Sequence, residues 1–147
     1  MKPLMIIGID PGASGGIAVL SEGHLATAQK LPETERDIYD YLEALSWADP
    51  IVFLEKVHSM PKQGVSSTFK FGMNYGFLRG LIIALKYPLY DVTPQKWQAV
   101  IGCLTHGDKN VSKAKAQQLF TLLKITHATA DALLIAEYGR RTLVTQG

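Results

Sequence analysis

Two short runs of apolar residues that each end on an acid are the first pattern along the chain. Residues 4–9 are apolar or glycine and lead into Asp10, and residues 51–54 are apolar and lead into Glu55. Short apolar runs bounded by turn-forming residues are typical of buried strands. A buried strand can present an acid only where its backbone leaves the core. Each run therefore predicts a strand with a carboxylate at its C-terminal end.

A helix is predicted between these two strands. It opens near Pro32 among acids that suit the start of a helix, and residues 49–50, Asp-Pro, stop it. Its apolar face has the i, i+3, i+4, i+7 spacing and consists of Ile38, Tyr41, Leu42 and Leu45. A strand, a helix and a strand joined by a right-handed crossover lie parallel and side by side. Asp10 and Glu55 are therefore expected to lie near each other.

Turn-forming residues divide the rest of the chain into further elements. A glycine-rich turn at residues 12–16 predicts a hairpin to a second strand at residues 17–20, and residues 24–29 predict a third strand at the edge. A helix capped by Ser66 or Ser67 is expected to run to about Leu85, followed by a strand at residues 88–92. Thr93 followed by Pro94 opens the next helix.

Two more helices are predicted after this point. The first is opened by Asn110 or Ser112, and its inward face is expected to consist of Ala114, Leu119, Leu122 and Leu123. The last helix contains residues 130–136 and is expected to end at residues 139–141, Gly-Arg-Arg.

Gly72, Gly76 and Gly80 recur at every fourth position of the helix that begins near residue 66. Glycine inside a helix is less favourable than alanine by about 1 kcal/mol. Three glycines in register therefore indicate that something packs very close to that side of the helix. The packing partner is either the sheet or the same helix of a second copy in a two-fold dimer.

Composition favours one globular domain. The chain has 147 residues, of which 47% are hydrophobic and 19% charged. No apolar run approaches the roughly 20 residues that cross a bilayer, and the first residues lack the apolar core of a signal peptide. No membrane partner is therefore expected. Cys103 is the single cysteine, so no disulfide framework forms within the chain and a reducing, cytoplasmic setting is favoured.

Charge is unevenly distributed along the chain. Residues 1–55 hold three lysines or arginines and nine acids, a net charge of −6, whereas residues 56–147 hold twelve and four, a net charge of +8. This asymmetry indicates a polyanion-binding face built from the second part of the chain. A solvated surface on which the charges are mixed in space is the alternative that charge alone leaves open.

A further acid, Asp131, lies among alanines and leucines. Burying a carboxylate there is unfavourable unless it is paired or bound to a cation. His127 lies four residues earlier and shares a face with it if the helix includes position 127, whereas a cap at Thr129 would separate the two. Taken alone, His127 also fits a core or surface histidine. With Asp10 and Glu55, these residues form a set of oxygen and nitrogen donors that favours Mg²⁺ or Mn²⁺ over structural zinc.

Five segments occur in one order along nearly the whole chain. They are Gly8-Ile9-Asp10-Pro11-Gly12, Phe53-Leu54-Glu55, the glycine-bearing helix with Phe69-Lys70-Phe71-Gly72 and Leu78-Arg79-Gly80, Val92-Thr93-Pro94-Gln95-Lys96-Trp97, and Ala130-Asp131-Ala132-Leu133. This ordered set resembles the RuvC-type Holliday junction resolvases, in particular the small phage-encoded branch. The resemblance implies that residues 1–147 form a single domain with an RNase H-like α/β fold. In that fold a five-stranded mixed sheet, its first three strands antiparallel, has helices on both faces.

The resemblance also implies an activity. It implies a homodimer that cuts four-way (Holliday) and related branched DNA by metal-dependent phosphodiester hydrolysis. Two Mg²⁺ or Mn²⁺ ions per active site are implied, with 5′-phosphate and 3′-hydroxyl ends as products, in a bacterial or phage-infected cell. Asp10, Glu55 and Asp131 are then the metal-binding catalytic carboxylates. His127 fills a fourth catalytic and metal-binding position at which many relatives carry an acid.

The resemblance assigns contacts to DNA and to a second subunit. Lys96 and Lys109 are expected near the scissile phosphate, and Lys113 and Lys115 extend the same basic face unless they are merely solvated. A loop with Lys56, His58, Met60 and Lys62 is expected to stack or wedge at the branch point, with a plain exposed loop as the alternative. The expected dimer interface consists of Phe69, Gly72, Met73, Gly76, Phe77 and Gly80.

Three other functions share some of these sequence features. Sugar-kinase and actin-like ATPases share the fold and an Asp-x-Gly turn, but they need two such domains, for which 147 residues leave no room. An RNA-processing nuclease related to RuvC shares the acids and is expected to lack the glycine-bearing helix. A junction-binding protein without cleavage would not need Asp10, Glu55 and Asp131, although His127 keeps that alternative open.

Overall fold

The structure, a computed structural model, describes residues 4–22, 25–57 and 64–146; residues 145 and 146 are described as backbone only. This part of the chain contains five strands and five α-helices. The strands are β1 Met5–Asp10, β2 Gly16–Ser21, β3 Leu25–Lys30, β4 Ile51–Glu55 and β5 Leu89–Val92. The helices are α1 Glu35–Glu43, α2 Val65–Ala84, α3 Pro94–Ile101, α4 Lys109–Leu119 and α5 His127–Gln146. Over those ranges, none of the helices combines the length and the apolar character that crossing a membrane requires.

The strands form one mixed sheet in the order β3-β2-β1-β4-β5. The first three strands are antiparallel neighbours, whereas β4 runs parallel to both β1 and β5. Ile9 of β1 pairs with Leu54 of β4, so the next residues, Asp10 and Glu55, leave neighbouring strands at the same edge of the sheet. The predicted five-stranded mixed sheet, and the predicted parallel pairing of the two acid-bearing strands, are confirmed.

Side chains of β1 alternate between the two faces of the sheet. Ile7 and Ile9 pack into an apolar cluster with α1 and α2. Gly8 faces α5 instead, because a Cβ atom at this position would lie 2.4 Å from the carbonyl oxygen of Ala132. Since successive side chains of a strand point to opposite faces, Asp10 lies on the same face of the sheet as Gly8. The acid of β1 is therefore presented to α5.

Helix α5 is longer than its sequence indicates. It continues to Gln146 rather than ending at residues 139–141. Gly139 is a packing contact and not a helix end, since a Cβ atom there would lie 2.4 Å from the ring of Phe53. Arg140 and Arg141 both donate hydrogen bonds to Glu137 of the preceding turn, with 2.8 Å from each Nε to the carboxylate. These i+3 and i+4 bonds stabilise the helix where its end was expected.

Other helix boundaries also differ from the predictions. Helix α2 begins at Val65, so neither Ser66 nor Ser67 caps it. Helix α4 begins at Lys109, because the side chain of Asp108 accepts a hydrogen bond from the backbone N–H of Asn110 at 3.0 Å. The predicted caps Asn110 and Ser112 are therefore wrong. Helix α1 ends at Glu43, and a short 3₁₀ turn, Ser46–Ala48, separates it from residues 49–50.

The buried face of α4 is not the predicted one. Ser112 and Ala116 are its buried residues, and their small side chains allow α4 to pack closely against α5. The expected inward residues lie elsewhere: Ala114 and Leu119 are exposed, Leu122 is 98% exposed beyond the end of the helix, and Leu123 alone packs partly against the core.

The glycine side of α2 is open. A Cβ atom built at Gly72, Gly76 or Gly80 would meet no atom of the described residues within 4 Å. The helix packs on the sheet through its other side, where Leu78 and Ile82 are fully buried. The exposed residues Val65, Phe69, Met73 and Ile83 flank the glycines and complete what we call the open face of α2. The sheet is therefore not what the glycines approach, and that alternative is wrong.

Replacing Gly76 with alanine is expected to stabilise the monomeric chain by about 1 kcal/mol, because alanine is the better helix former and its Cβ meets no atom in the part of the chain that the structure describes. In thermal melts at low protein concentration this gives an increase in Tm of about 2–4 °C. Gly8→Ala is the matched control and should lower Tm steeply, since its Cβ would overlap the backbone of α5. Similar changes in Tm for the two variants would contradict the packing described here.

Candidate active site

Three acids from three elements come together at one edge of the sheet. Asp10 ends β1, Glu55 ends β4, and Asp131 lies one turn into α5. Their charges act on one another: the negative charge of Asp131 contributes to a raised pKa of Asp10, after burial, the larger cause. The structure thus brings together the three carboxylates that the sequence singled out.

His127 joins the same site through the way α5 begins. The backbone N–H of Thr126 donates to the hydroxyl of Thr129 at 3.0 Å, and the N–H of Thr129 donates to the hydroxyl of Thr126 at 3.3 Å. This reciprocal cap starts the helix at His127. His127 and Asp131, four residues apart, therefore share one face of α5. The alternative of a cap at Thr129 is wrong.

Glu55 has the most strongly raised pKa of the three acids. Burial, followed by the negative charge of Asp10, raises its pKa from 4.5 to about 8. The indole N–H of Trp97 opposes this rise by donating a hydrogen bond of 2.7 Å to Oε2 of Glu55. Trp97 is fully buried in α3, a helix that Thr93 caps as predicted. No role was predicted for the side chain of Trp97, because its partner Glu55 lies on a different element.

The pKa of Asp131 is subject to opposing effects from burial and from its neighbours. Burial raises its pKa, while a hydrogen bond from Ser112 and the charges of Lys109 and His127 lower it, with a net rise. The Ser112 hydroxyl, buried on α4, has one proton and two acceptors within reach, the carbonyl oxygen of Lys109 and the carboxylate of Asp131. Asp10 has a weaker support, a 3.3 Å hydrogen bond from the backbone N–H of Gly12.

Lys109 is the lysine that the structure places at the site. Its positive charge opposes the pKa rise of Asp10, Glu55 and Asp131 alike, after burial and the other causes given above. Lys96 is exposed directly before Trp97.

The other predicted DNA-binding residues are less closely tied to the acids. Lys56 is exposed directly after Glu55, and Lys113 and Lys115 are half-buried on α4. His58, Met60 and Lys62 lie outside the described residues.

The donor set suits a divalent cation of the Mg²⁺ or Mn²⁺ type. Three carboxylates are hard oxygen donors, and the raised pKa of each one, caused first by burial, means that its ionised form is unfavourable in the folded chain. A bound cation would stabilise the ionised carboxylates. As the side chains stand, no three His, Cys, Asp or Glu residues within the described ranges form a group that could hold a metal ion.

Asn74 is a site neighbour that sequence reasoning missed. Its side-chain amide, on α2, donates a hydrogen bond to the carbonyl oxygen of Pro11, the residue after Asp10. Helix α2 is thereby tied to the turn that follows β1. A polar residue within an apolar and glycine-rich helix was the available signal.

The chain is similar in fold to solved structures of RuvC. No protein-family model and no curated protein matches the chain. Among solved structures, T. thermophilus RuvC in complex with a Holliday junction substrate matches with a TM-score of 0.62 at 18% identity, over 97% of this chain and 96% of that one. The chain has the RuvC fold. A second Thermus thermophilus RuvC structure matches with a TM-score of 0.60 at 16% identity, over 95% and 96% of the two chains.

The predicted resemblance to RuvC is confirmed at the level of the fold. The RNase H-like α/β architecture, with three antiparallel strands followed by two parallel ones, is the one that the sequence motifs implied. The match extends along nearly the whole chain, so the RuvC fold accounts for the elements that carry Asp10, Glu55 and Asp131.

Trp97→Phe is expected to destabilise this RuvC-fold chain more at pH 9 than at pH 6. Above a pKa of about 8 Glu55 is ionised, and a hydrogen bond to a charged group contributes about 1.5–3 kcal/mol against about 0.5–1.5 kcal/mol for a neutral one. Urea unfolding in EDTA measures the loss at both pH values. Equal losses would mean that only the packing of the indole matters and that its N–H does not.

Proposed function

We propose that this chain is a structure-selective endonuclease that resolves four-way and related branched DNA by metal-dependent phosphodiester hydrolysis. Symmetric nicks with 5′-phosphate and 3′-hydroxyl ends are the proposed products. The observation that carries the proposal is the meeting of Asp10, Glu55 and Asp131 at one edge of the sheet, each with a raised pKa caused first by burial. The RuvC fold, which in one solved structure is bound to a Holliday junction substrate, supports the choice of DNA.

The three carboxylates would hold two Mg²⁺ or Mn²⁺ ions. When bound, such ions lower the pKa of an attacking water and stabilise the charge on the departing oxygen. The chain's own residues orient the carboxylates: Trp97 holds Glu55 and the N–H of Gly12 holds Asp10. His127, one helical turn before Asp131, is proposed as a further ligand or as a proton relay.

Lysines supply the proposed contacts to the DNA backbone. Lys109, whose charge reaches all three carboxylates, is proposed to bind the phosphate that is cut. Lys56, Lys96 and Lys113 extend this basic surface in the proposal. The same role stays a prediction for His58, Met60 and Lys62.

We propose a homodimer through the open face of α2. The glycines on that face approach nothing within the described part of this chain, although three glycines cost helix stability. A second α2 packed against the first would use the space and cover the exposed flanking side chains. Phe77 is half-buried against the core, so we propose that it lies at the edge of this interface. Two active sites related by a two-fold axis would suit paired nicks in a symmetric junction.

Two alternatives share parts of this proposal. A junction-binding protein that does not cut would keep the basic surface and the dimer. An RNA-processing nuclease of the same fold would keep the acids, and the open face of α2 favours the resolvase over it. We also propose that residues 1–147 act as one nuclease domain in the reducing interior of a bacterial or phage-infected cell.

A nicking assay tests the proposal. The substrates are a synthetic four-way junction, labelled on each strand in turn, and a linear duplex of the same sequence. Each is incubated with Mg²⁺, Mn²⁺ or EDTA, using the wild type and Asp10→Asn. The expected result is paired symmetric nicks that a DNA ligase can seal, an intact duplex, and no products with EDTA or Asp10→Asn. Tight junction binding without cutting in either metal would favour the binding protein, and equal cutting of the duplex would contradict structure selectivity.

A further inference from the structure

A cleft of about 730 Å³ lies on the other side of the turn that follows Asp10. Its walls are the turn between β1 and β2, the segment from the end of β3 into α1, and the first turns of α2. This volume is in the range of pockets that bury small molecules, roughly 300–1,000 Å³. Of the described residues to which the proposed hydrolysis assigns a role, Gly12 alone lines it, through the turn whose N–H holds Asp10.

The turn at residues 11–15 separates this cleft from the carboxylates. Asp10 faces α5, whereas the cleft lies on the face of α1 and α2, where Ile38 is both part of the core and part of the cleft lining. Gly12 belongs to both sides: its N–H donates to Asp10, and its backbone lines the cleft. A DNA strand with a phosphate at the carboxylates therefore reaches the cleft by crossing a single turn.

The lining of the cleft suits a nucleotide and not a bare polyanion. Exposed Lys30 and Lys70 are placed to contact phosphate, whereas Glu33 and Glu35 cancel their charge and would repel a run of phosphates. Carboxylates instead accept hydrogen bonds from the amino groups of bases. Phe71 offers an aromatic ring of the kind on which unpaired bases stack.

Asn74 connects the cleft with the active site. It lines the cleft, and its amide holds the carbonyl oxygen of Pro11 next to Asp10. A group bound in the cleft therefore contacts the residue that supports the turn carrying Asp10.

We propose that this cleft receives an unpaired nucleotide of the same DNA strand whose phosphate lies at the carboxylates. This inference rests on the proposed nuclease function and adds a subsite to it. The subsite selects an unpaired strand at the branch point over a continuous duplex, since a paired base cannot enter a cleft.

The test couples one base of the DNA to Phe71. A series of four-way junctions carries a single abasic nucleotide at each position around the branch point, and their affinities are measured by fluorescence anisotropy in EDTA, where nothing is cut. At one position the abasic change is expected to weaken wild-type binding by about tenfold, the size of one base–aromatic stack. Phe71→Leu should bind the intact junction more weakly and should lose less than about twofold from the same abasic change. An abasic penalty that is equal in both proteins, or absent in the wild type, overturns the proposal.

A second measurement guards against misfolding of the Phe71 variant and against failure of the nuclease proposal. Lys70→Ala changes an exposed side chain of the cleft, and Lys124→Ala, which removes an exposed lysine that does not line the cleft, is its matched control. Lys70→Ala should weaken binding of a short single-stranded oligonucleotide at least about threefold relative to Lys124→Ala, and equal affinities overturn the cleft. If the wild type cuts junctions while these effects are missing, the cleft proposal alone fails. If it neither binds nor cuts junctions, the nuclease proposal fails and the oligonucleotide result still decides the cleft.

Discussion

Asp131→Asn is expected to lower the rate of junction cutting at least about 10³-fold while raising the stability of the folded chain in EDTA. The rate falls because the variant loses one of the three carboxylates proposed to hold the catalytic ions, a loss of at least about 4 kcal/mol in the transition state. Stability rises because burial raises the pKa of Asp131, so its ionised form is unfavourable in the folded chain. Single-turnover nicking and thermal melting measure the two effects.

The opposite signs make this a test of function and not of folding. Asp91→Asn is the matched control: Asp91 is an acid of β5 that bonds Tyr75 and Arg79 away from the candidate site. It should leave the nicking rate unchanged and lower Tm slightly, because an exposed ion pair contributes about 0–1 kcal/mol. If Asp131→Asn loses activity only together with stability, the catalytic assignment is wrong.

Glu55 is expected to make the chain most stable on the acid side of neutrality when no divalent cation is present. Its pKa is 4.5 as the ordinary value and about 8 in the folded chain, raised first by burial. Between these values the folded state holds a proton that the unfolded state has released, so the free energy of unfolding decreases as the pH rises. The decrease is fully developed above about pH 8 and is at most about 5 kcal/mol over this range.

Glu55→Gln removes this dependence, because glutamine does not titrate. We expect the variant to melt several degrees above the wild type at pH 8.5 in EDTA and at nearly the same temperature at pH 4.5. Mg²⁺ or Mn²⁺ at pH 8.5 should then raise the Tm of the wild type, by about 2.7 kcal/mol of stability at a hundredfold excess over Kd, and leave that of Glu55→Gln almost unchanged. A parallel pH profile for both proteins would show that Glu55 is not the group responsible. A metal response of equal size would show that Glu55 is not a ligand.

The central strands and the position of the acids could be predicted because general rules on strand alternation and on parallel crossovers fix them. Alternation along β1 and the parallel crossover to β4 follow from residue type and order alone, and they place Asp10 beside Glu55. The bond from Trp97 to Glu55 joins residues 42 positions apart, and no local pattern encodes such a pair. The same holds for Asn74 and its contact with Pro11.

Helix boundaries were the least predictable feature because tertiary contacts outweighed local signals. Gly139, followed by two arginines, is typical of a helix end, yet its missing side chain makes room for the ring of Phe53 and the helix continues. Leu122 is of a residue type and at a spacing that predict a core position, but α4 ends before it. The small residues Ser112 and Ala116 make the contact with α5 instead. Only the packed arrangement distinguishes these cases.

The contact between α5 and the backbone of β1 has a consequence for altering this site. Because a Cβ atom at Gly8 would overlap the carbonyl oxygen of Ala132, the distance between the backbones of Asp10 and Asp131 is set by how closely the helix lies on the strand. Backbone atoms in such close contact have little room to move. To fit an ion of another radius, one would therefore first change the strand residues that contact α5, such as Gly8, and only then the acids themselves.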